Sequence, residues 1–338
     1  MPQLRRHPIT GEWVVIAPER AKRPDDYVRA DTAKPQSKIN CPFCETGKMY
    51  KEFKRKIKEF EDKDIYVTPN LYPAFIEDPK NCSERSHRVE EFYRMGPSLG
   101  GHDVVVVKNH DINLPSFDLE TWQALFFMIQ RRYKYYKDFC NALYTMPIYN
   151  YKMKAGASIV HPHAQIFISN IIPNVVANEM EGSEEYFQKH SQCVFCAMNE
   201  HEKKVKKRVV YESDKYIAYT FFAARFPFEI WLLPKQHLSS FENEDKKDIQ
   251  ELAKAMKSII NKLYTTLKDP ALNFFIHSLP NTLDDAKFYH WHLEITPRVT
   301  GMGGYELGSG VIIDIMSPEN AAKYLNEKSK STLQDKKK

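Results

Sequence analysis

The chain has 338 residues, of which 42% are hydrophobic and 28% charged, a composition typical of a globular protein with about two domains. Its 49 Lys and Arg residues against 44 Asp and Glu residues give a net charge of only +5, too small to indicate a nucleic-acid partner. No apolar run approaches the roughly 18 residues of a membrane span, and residues 1–6 lead into polar sequence without an apolar signal region. We therefore expect a cytoplasmic protein that binds neither nucleic acid nor membrane.

The first half of the chain pairs cysteines with later histidines. Cys41 and Cys44 form a C-x-x-C pair, and an apolar strand over 104–107 is followed by His110. Asp118 is predicted to be the N-cap of a helix with apolar residues at helical spacing. The strand that follows opens with a His-Pro-His sequence. His102, after two glycines, is expected to lie in a loop.

The second half repeats this order. Cys193 and Cys196 form the second C-x-x-C pair, a strand over 229–233 precedes His237, and a long helical stretch leads to His-Trp-His before another strand. The middle histidine and the H-x-H sequence are separated by nearly the same number of residues in both halves. The sequence therefore predicts an α+β fold built as a tandem duplication, with antiparallel sheets and packed helices. We predict a first unit over 1–170, a connector over 171–192, a second unit over 193–325 and a charged tail over 326–338.

Each half offers the four ligands of a tetrahedral zinc site, since a C-x-x-C pair supplies two thiolates from one turn and two histidines complete the set. The predicted first site is Cys41, Cys44, His110 and His161. The predicted second site is Cys193, Cys196, His237 and His290. We expect one or two zinc ions per chain.

His163 is the candidate nucleophile. Strand residues i and i+2 face the same side, so a metal-bound His161 would place the free imidazole of His163 beside it, where it can attack phosphorus. Gln165, further along the same face, can donate a hydrogen bond to a phosphoryl oxygen. Phosphate contacts are predicted from the loop at Gly156 and Ser158 and from the fixed positive charge of Arg20 and Arg23. These residues indicate a phosphoryl or nucleotidyl transferase, with a zinc-structured binding module as the alternative.

The sequence from Gly156 through Ser158 to His161-Pro-His163-Ala-Gln165 resembles the active-site signature of galactose-1-phosphate uridylyltransferases, a branch of the histidine-triad superfamily. The resemblance covers nearly the whole chain and implies two histidine-triad-like units in a homodimer. It also implies substrate contacts from four places in the chain. Arg20 and Arg23 lie in the implied phosphate-binding segment, and Asn70 and Tyr72 lie in the implied nucleotide-contacting turn. Asn150 is the implied upstream asparagine, and Tyr305 and Glu306 lie in the implied hexose-phosphate segment.

The resemblance implies a ping-pong reaction on nucleotide sugars and sugar phosphates. His163 would take the uridylyl group of UDP-glucose, release glucose 1-phosphate, and pass the group to galactose 1-phosphate. The segment 301–310 also resembles a sister branch that includes ADP-glucose phosphorylases. Adenylyl transfer to phosphate or a hexose 1-phosphate by the same histidine is therefore the alternative. The His-Pro-His sequence favours uridylyl transfer.

The second metal site has two candidate ligand sets. Some family members build it from a glutamate and three histidines, which here would be Glu179, His277, His290 and His292, and the ion there is zinc or iron. Because His290 cannot serve both sets, we favour the Cys2His2 set, with Glu179 as a surface or supporting carboxylate. His292 corresponds to His163 but lacks the flanking Gly-x-Ser and Ala-Gln residues, so we expect a core or interface histidine.

Overall fold

One nine-stranded antiparallel sheet carries both halves of the chain. The computed structural model describes residues 1–20, 37–78, 88–90 and 92–335. Its strands are β1 (Gln3–Arg6), β2 (Trp13–Ile16), β3 (Ile65–Pro69), β4 (Arg88–Glu90), β5 (Tyr93–Met95), β6 (Gly100–Val107), β7 (Tyr144–Tyr151), β8 (His163–Ser169), β9 (Val209–Glu212), β10 (Tyr216–Thr220), β11 (Ile230–Pro234), β12 (Leu272–His277), β13 (His292–Pro297) and β14 (Ile312–Asp314). Its helices are α1 (Lys48–Glu52), α2 (Lys54–Glu59), α3 (Leu119–Tyr136), α4 (Asn174–His190), α5 (Val194–Val205), α6 (Lys246–Leu267), α7 (Gly304–Ser309) and α8 (Pro318–Asp335).

The strand order makes the predicted duplication visible. The nine strands run β3-β6-β8-β7-β12-β13-β11-β10-β9, so β3, β6, β8 and β7 of the first half correspond to β10, β11, β13 and β12 of the second. The halves meet where β7 pairs with β12, with Asn150 opposite Asn273. The predicted α+β class with antiparallel sheets and packed helices is confirmed. The two repeats share one sheet because their β7 and β12 edges pair with each other.

The two predicted helices cover one face of this sheet. Helix α3 begins after Asp118, whose carboxylate accepts the N–H of Thr121 at 2.7 Å, as an N-cap does. Helix α6 is its counterpart in the second half. Both bury their apolar faces in one core with alternate residues of the central strands, including Ala164, Ile166 and Ile168 of β8. Because side chains alternate along a strand, the intervening His163 and Gln165 face the opposite side.

The ends of the chain form a second, smaller sheet. β1 pairs with β2, and β2 pairs in parallel with β14, so N-terminal and C-terminal strands lie together. The predicted connector contains α4, and α8 extends into the predicted tail as far as residue 335. The domain boundaries themselves remain a prediction. Within the described part of the chain, no helix has both the length and the apolar character that a membrane span requires.

Candidate active site and metal centres

The first predicted ligand set comes together in space. The Sγ atom of Cys41 lies 3.3 Å from Nδ1 of His161, and the Sγ atom of Cys44 lies 3.4 Å from Nδ1 of His110. The two Nδ1 atoms are 3.0 Å apart. Zinc bonds of about 2.0–2.3 Å would place tetrahedral ligand atoms roughly 3.3–3.8 Å from each other. The four atoms therefore fit one tetrahedral ion.

The ring of His161 is oriented for this role. Its Nε2 atom lies 2.6 Å from the carbonyl oxygen of Val107, so Nε2–H donates to that oxygen and Nδ1 is left for a metal. Burial lowers the pKa of His161 to about 4, despite the opposing effect of this hydrogen bond. The neutral ring is the form that ligates a metal.

The second predicted set also converges. The Sγ atom of Cys196 lies 3.4 Å from Nδ1 of His237 and 3.5 Å from Nδ1 of His290. Together with Cys193, these residues place one ligand atom each within 4.8 Å of the others. The chemistry of the donor set, two sulfurs and two imidazoles, is that of a structural zinc site.

A third cluster lies beside the second and joins Glu179, His277, His292 and Glu294. Nδ1 of His277 is 3.1 Å from both carboxylate oxygens of Glu179, and Nε2 of His292 is 3.6 Å from Oε1 of Glu294. All four residues are buried, and Nε2 of His292 and Oε1 of Glu294 have no hydrogen-bond partner among the described residues. Buried polar atoms of this kind can ligate a metal ion or a water molecule, so this cluster is the alternative metal site of the second half.

These contacts correct two expectations about the second half. The two candidate ligand sets are not exclusive, because His290 faces the cysteines while Glu294 takes its place beside Glu179. Glu179 is not a surface carboxylate, since its residue is only 2% exposed. His292 is fully buried, stacks on Trp231 with ring centroids 4.5 Å apart, and so has the core location predicted for it.

His163 lies at the first residue of β8, directly after the first metal cluster. Its Nδ1 atom is 2.8 Å from the carbonyl oxygen of His161, so Nδ1–H donates and the lone pair remains on Nε2. The Phe43 ring packs against the imidazole with centroids 4.9 Å apart. Burial lowers the pKa of His163, with the hydrogen bond to His161 acting in the opposite direction. The result is a neutral, oriented imidazole.

A cavity of about 360 Å³ opens at this histidine, lined among others by Asn150, Lys152, Ser158, His163 and Asp269. This volume lies within the range of small-molecule sites. The amide oxygen of Asn150 accepts a hydrogen bond from Asn273 at 2.8 Å, which fixes its side chain across the junction of the two halves. Gly156 has φ of +89°, a left-handed conformation that glycine adopts without strain. It turns the chain toward Ser158.

Several of the residues predicted to contact substrate lie away from this cavity. Arg20 is exposed and ends a short 3₁₀ turn, and Arg23 is outside the described residues. Tyr72 is 80% exposed. Tyr305 is 55% exposed on α7, where the carboxylate of Glu306 accepts the N–H of Gly303 at 2.8 Å. Among the described residues, Arg20, Tyr72, Tyr305 and Glu306 do not line the cavity beside His163.

Other residues of the site were not identified from the sequence. Lys152 has φ of +70°, unusual for a residue with a side chain, and its ammonium group lies 2.6 Å from the carboxylate of Asp269. His102 lies on β6, not in a loop, with Nε2 3.0 Å from Oε1 of Gln165. The pairs Lys152–Asp269 and His102–Gln165 each join residues from distant segments, so no local spacing in the sequence indicates them.

The two halves match two models of one protein family. Residues 1–173 match the galactose-1-phosphate uridyl transferase N-terminal domain, and residues 179–336 match its C-terminal domain. The chain belongs to the galactose-1-phosphate uridylyltransferase family. This family is one of transferases, and the predicted enzyme class is confirmed.

Two relatives of this chain within the family carry names that describe different activities. An ADP-glucose phosphorylase of Arabidopsis thaliana is 32% identical, covering 97% of this chain and 93% of its own length. A galactose-1-phosphate uridylyltransferase of Thermotoga maritima is 29% identical, covering 97% and 98%. The crystal structure of an Arabidopsis ADP-glucose phosphorylase with bound ADP-glucose has a TM-score of 0.79 at 29% identity, covering 97% of this chain and 98% of that one. The family therefore includes enzymes named for ADP-glucose and enzymes named for uridylyl transfer, and membership by itself does not specify the nucleotide.

Proposed function

We propose that this protein transfers a nucleotidyl group from a nucleotide sugar through a covalent nucleotidyl–histidine at His163. One observation carries the proposal: Nδ1–H of His163 donates to the His161 carbonyl at 2.8 Å, which leaves Nε2 as a free nucleophile. The histidine borders a cavity of suitable size. A neutral imidazole held in this way needs no separate base to attack phosphorus.

The reaction consists of two displacements at the same phosphorus. Nε2 of His163 attacks the α-phosphorus, the bond from that phosphorus to the bridging oxygen breaks, and the sugar phosphate leaves with the electron pair. An oxygen of an acceptor phosphate then attacks the same phosphorus, and the P–N bond breaks. The histidine is regenerated with its lone pair, so the cycle consumes no oxidant or proton source.

The surrounding residues have distinct tasks. Gln165 donates its amide N–H to the phosphoryl oxygens as charge develops, while Ser158 and Asn150 bind groups of the substrate in the cavity. Zinc held by Cys41, Cys44, His110 and His161 would fix the start of β8 and thereby the position of His163. Zinc is also proposed for the second Cys2His2 set, with iron as the alternative in the second half.

Uridylyl exchange between UDP-glucose and galactose 1-phosphate is the first candidate reaction. It is supported by the two family models over both halves of the chain and by the Thermotoga relative. The proposal includes a cytoplasmic homodimer, in which Arg20, Arg23, Tyr72, Tyr305 and Glu306 would contact substrate near the subunit interface.

Adenylyl transfer from ADP-glucose to phosphate or a hexose 1-phosphate is the second candidate. It is supported by the 32% identity to an ADP-glucose phosphorylase and by similarity to a structure with bound ADP-glucose. The chemistry at His163 is the same in both cases, and only the base and the acceptor differ.

The test is intact-mass measurement after incubation with UDP-glucose or ADP-glucose in the absence of acceptor. We expect an adduct of one nucleotidyl group, lost on addition of galactose 1-phosphate after UDP-glucose or of phosphate after ADP-glucose. His163→Ala should form no adduct, and His201→Ala, which changes an exposed histidine of α5, should form it normally. If metal-replete protein gives no adduct with either sugar, and His163→Ala binds nucleotide with unchanged affinity, a non-catalytic nucleotide-binding protein is the correct description.

A further inference from the structure

His102 is a buried histidine whose ring is fixed from two sides. It lies on β6 opposite Phe167 of β8, is 7% exposed, and packs against the tilted Phe167 ring with centroids 4.0 Å apart and an interplanar angle of 30°. Phe167, Gln165 and His163 occupy the same face of β8. His102 therefore belongs to the surface that carries the proposed nucleophile.

The backbone determines which ring nitrogen of His102 carries the proton. The N–H of Ala74 lies 3.2 Å from Nδ1, and a backbone N–H can only donate. Nδ1 must therefore be the acceptor, and the neutral ring carries its proton on Nε2. Burial lowers the pKa of His102, with a smaller opposing effect from Gln165, so the neutral ring prevails near pH 7.

The Nε2–H group then orients the side chain of Gln165. It donates to Oε1 of Gln165 at 3.0 Å, which fixes the oxygen of the planar amide toward His102. The NH₂ group of the same amide is left to donate elsewhere. Without this contact, the amide could turn over and present its oxygen to a phosphoryl group, where like partial charges repel.

Asn70 completes the arrangement. Its Oδ1 accepts the N–H of Tyr72 at 3.0 Å, so its NH₂ group is the part that faces Nε2 of His102 at 3.2 Å. Because Nε2 carries its proton toward Gln165, this contact is a polar packing contact and not a hydrogen bond. The turn containing Asn70 and Ala74 is connected through His102 to Gln165.

We infer that His102 is a positioning residue that holds the amide of Gln165 with its NH₂ group directed to the transferred phosphoryl group. The inference rests on the proposed function, because it assigns a task to Gln165 in that reaction. The side chain of His102 contacts Gln165, Ala74 and Phe167. Its effect passes through Gln165.

Rapid-quench measurement of adduct formation with the preferred nucleotide sugar tests this role. His102→Phe keeps an aromatic ring against Phe167 but lacks the donor. We expect its rate to fall roughly tenfold to a hundredfold, less than the 10²–10³-fold cost of removing a transition-state donor outright, because Gln165 itself is still present. The dissociation constant of the nucleotide sugar should change little. His102→Gln, which restores an N–H near the position of Nε2, should recover most of the rate.

A double-mutant cycle separates positioning from general damage to the fold. In a Gln165→Ala background, His102→Phe should cause no further loss of rate, because the residue on which it acts is gone. Equal losses with and without Gln165 would overturn the inference, as would a wild-type rate in His102→Phe.

Nitrogen-15 NMR of the histidine side chains tests the tautomer without reference to activity. We expect Nε2 protonated and Nδ1 unprotonated for the signal that disappears in His102→Gln. The opposite tautomer would overturn the inference even in an active enzyme. If wild-type protein forms no adduct with either sugar, the proposed function fails and the positioning role of His102 in that reaction fails with it. The NMR result separately reports whether the hydrogen-bond arrangement is right.

Discussion

His161 and His163 are joined by a hydrogen bond of 2.8 Å from the Nδ1–H of His163 to the carbonyl oxygen of His161. The side chain of His161 faces the two cysteines of the first metal cluster, while its backbone orients the neighbouring ring. One residue therefore connects a structural centre to a nucleophile. An ion bound at the first cluster would act on the reaction by fixing a carbonyl group.

His110→Ala should separate this positioning effect from substrate binding. The variant removes one ligand of the first cluster, and we expect loss of one metal ion and a fall in adduct formation on the order of 10²-fold, since small displacements of a reacting group cost about that much. His237→Ala is the matched control in the second cluster and should lose an ion with little change in rate. Metal analysis and rapid quench on both variants check this, and equal rates in the two would contradict it.

Metal analysis should find two zinc ions per chain. Thiolate ligands bind zinc strongly, whereas the carboxylate of Glu294 in the third cluster already has an ion-pair partner in Arg225. We therefore expect Cys193→Ala to retain one ion and Glu179→Gln to retain two. If Cys193→Ala keeps both ions and Glu179→Gln loses one, the second ion belongs to the carboxylate cluster.

Glu319 should stabilise the fold in a pH-dependent manner. Its carboxylate lies 2.9 Å from Arg5 of β1 and 2.7 Å from Arg208. Burial alone would raise the pKa of Glu319, but these hydrogen bonds lower it from 4.5 to about 2. Because the folded value is the lower one, the stabilisation is present above pH 4.5 and is lost as the pH falls toward 2.

Glu319→Gln should therefore lower the free energy of unfolding at pH 7 by about 1.5–3 kcal/mol, the range for hydrogen bonds to charged groups. The difference from wild type should shrink below pH 4.5, as urea titrations at a series of pH values would measure. Glu327→Gln, at an exposed pair with Lys323, should change stability by less than about 0.5 kcal/mol. A difference that persists unchanged at pH 3 would argue against the ionic origin.

Gly182 should not tolerate a side chain. A Cβ atom there would lie 2.0 Å from the carbonyl oxygen of Ile9, so α4 can approach the N-terminal segment only at a glycine. Gly182→Ala should lower the unfolding free energy by about 1–3 kcal/mol. Gly308→Ala is the control, because a Cβ atom on this helical glycine meets nothing within 4 Å and alanine is the better helix former. Thermal unfolding should show the first variant destabilised and the second unchanged or stabilised.

Local patterns in the sequence were sufficient to predict much of the fold and of the candidate site. Helical spacing after Asp118 predicted α3 and its cap, and the repeated cysteines and histidines predicted the two Cys2His2 clusters. Alternation along a strand predicted that His163 and Gln165 share a face. These features depend on residues within one element, or on the same order of cysteines and histidines in both halves of the chain. They can therefore be predicted without knowing which strands pair.

Strand pairing and register decided which residues distant in the sequence meet at the candidate site. His102 meets Gln165 because β6 pairs with β8. Glu294 comes near Glu179 because β13 pairs with β12, whose His277 contacts the Glu179 carboxylate. The sequence places neither pair near each other, and hydrogen bonds across strands leave no periodic signal. Length and composition indicated about two domains, but only the pairing of β7 with β12 joins the two repeats in a single sheet, with Asn150 held across their junction by Asn273.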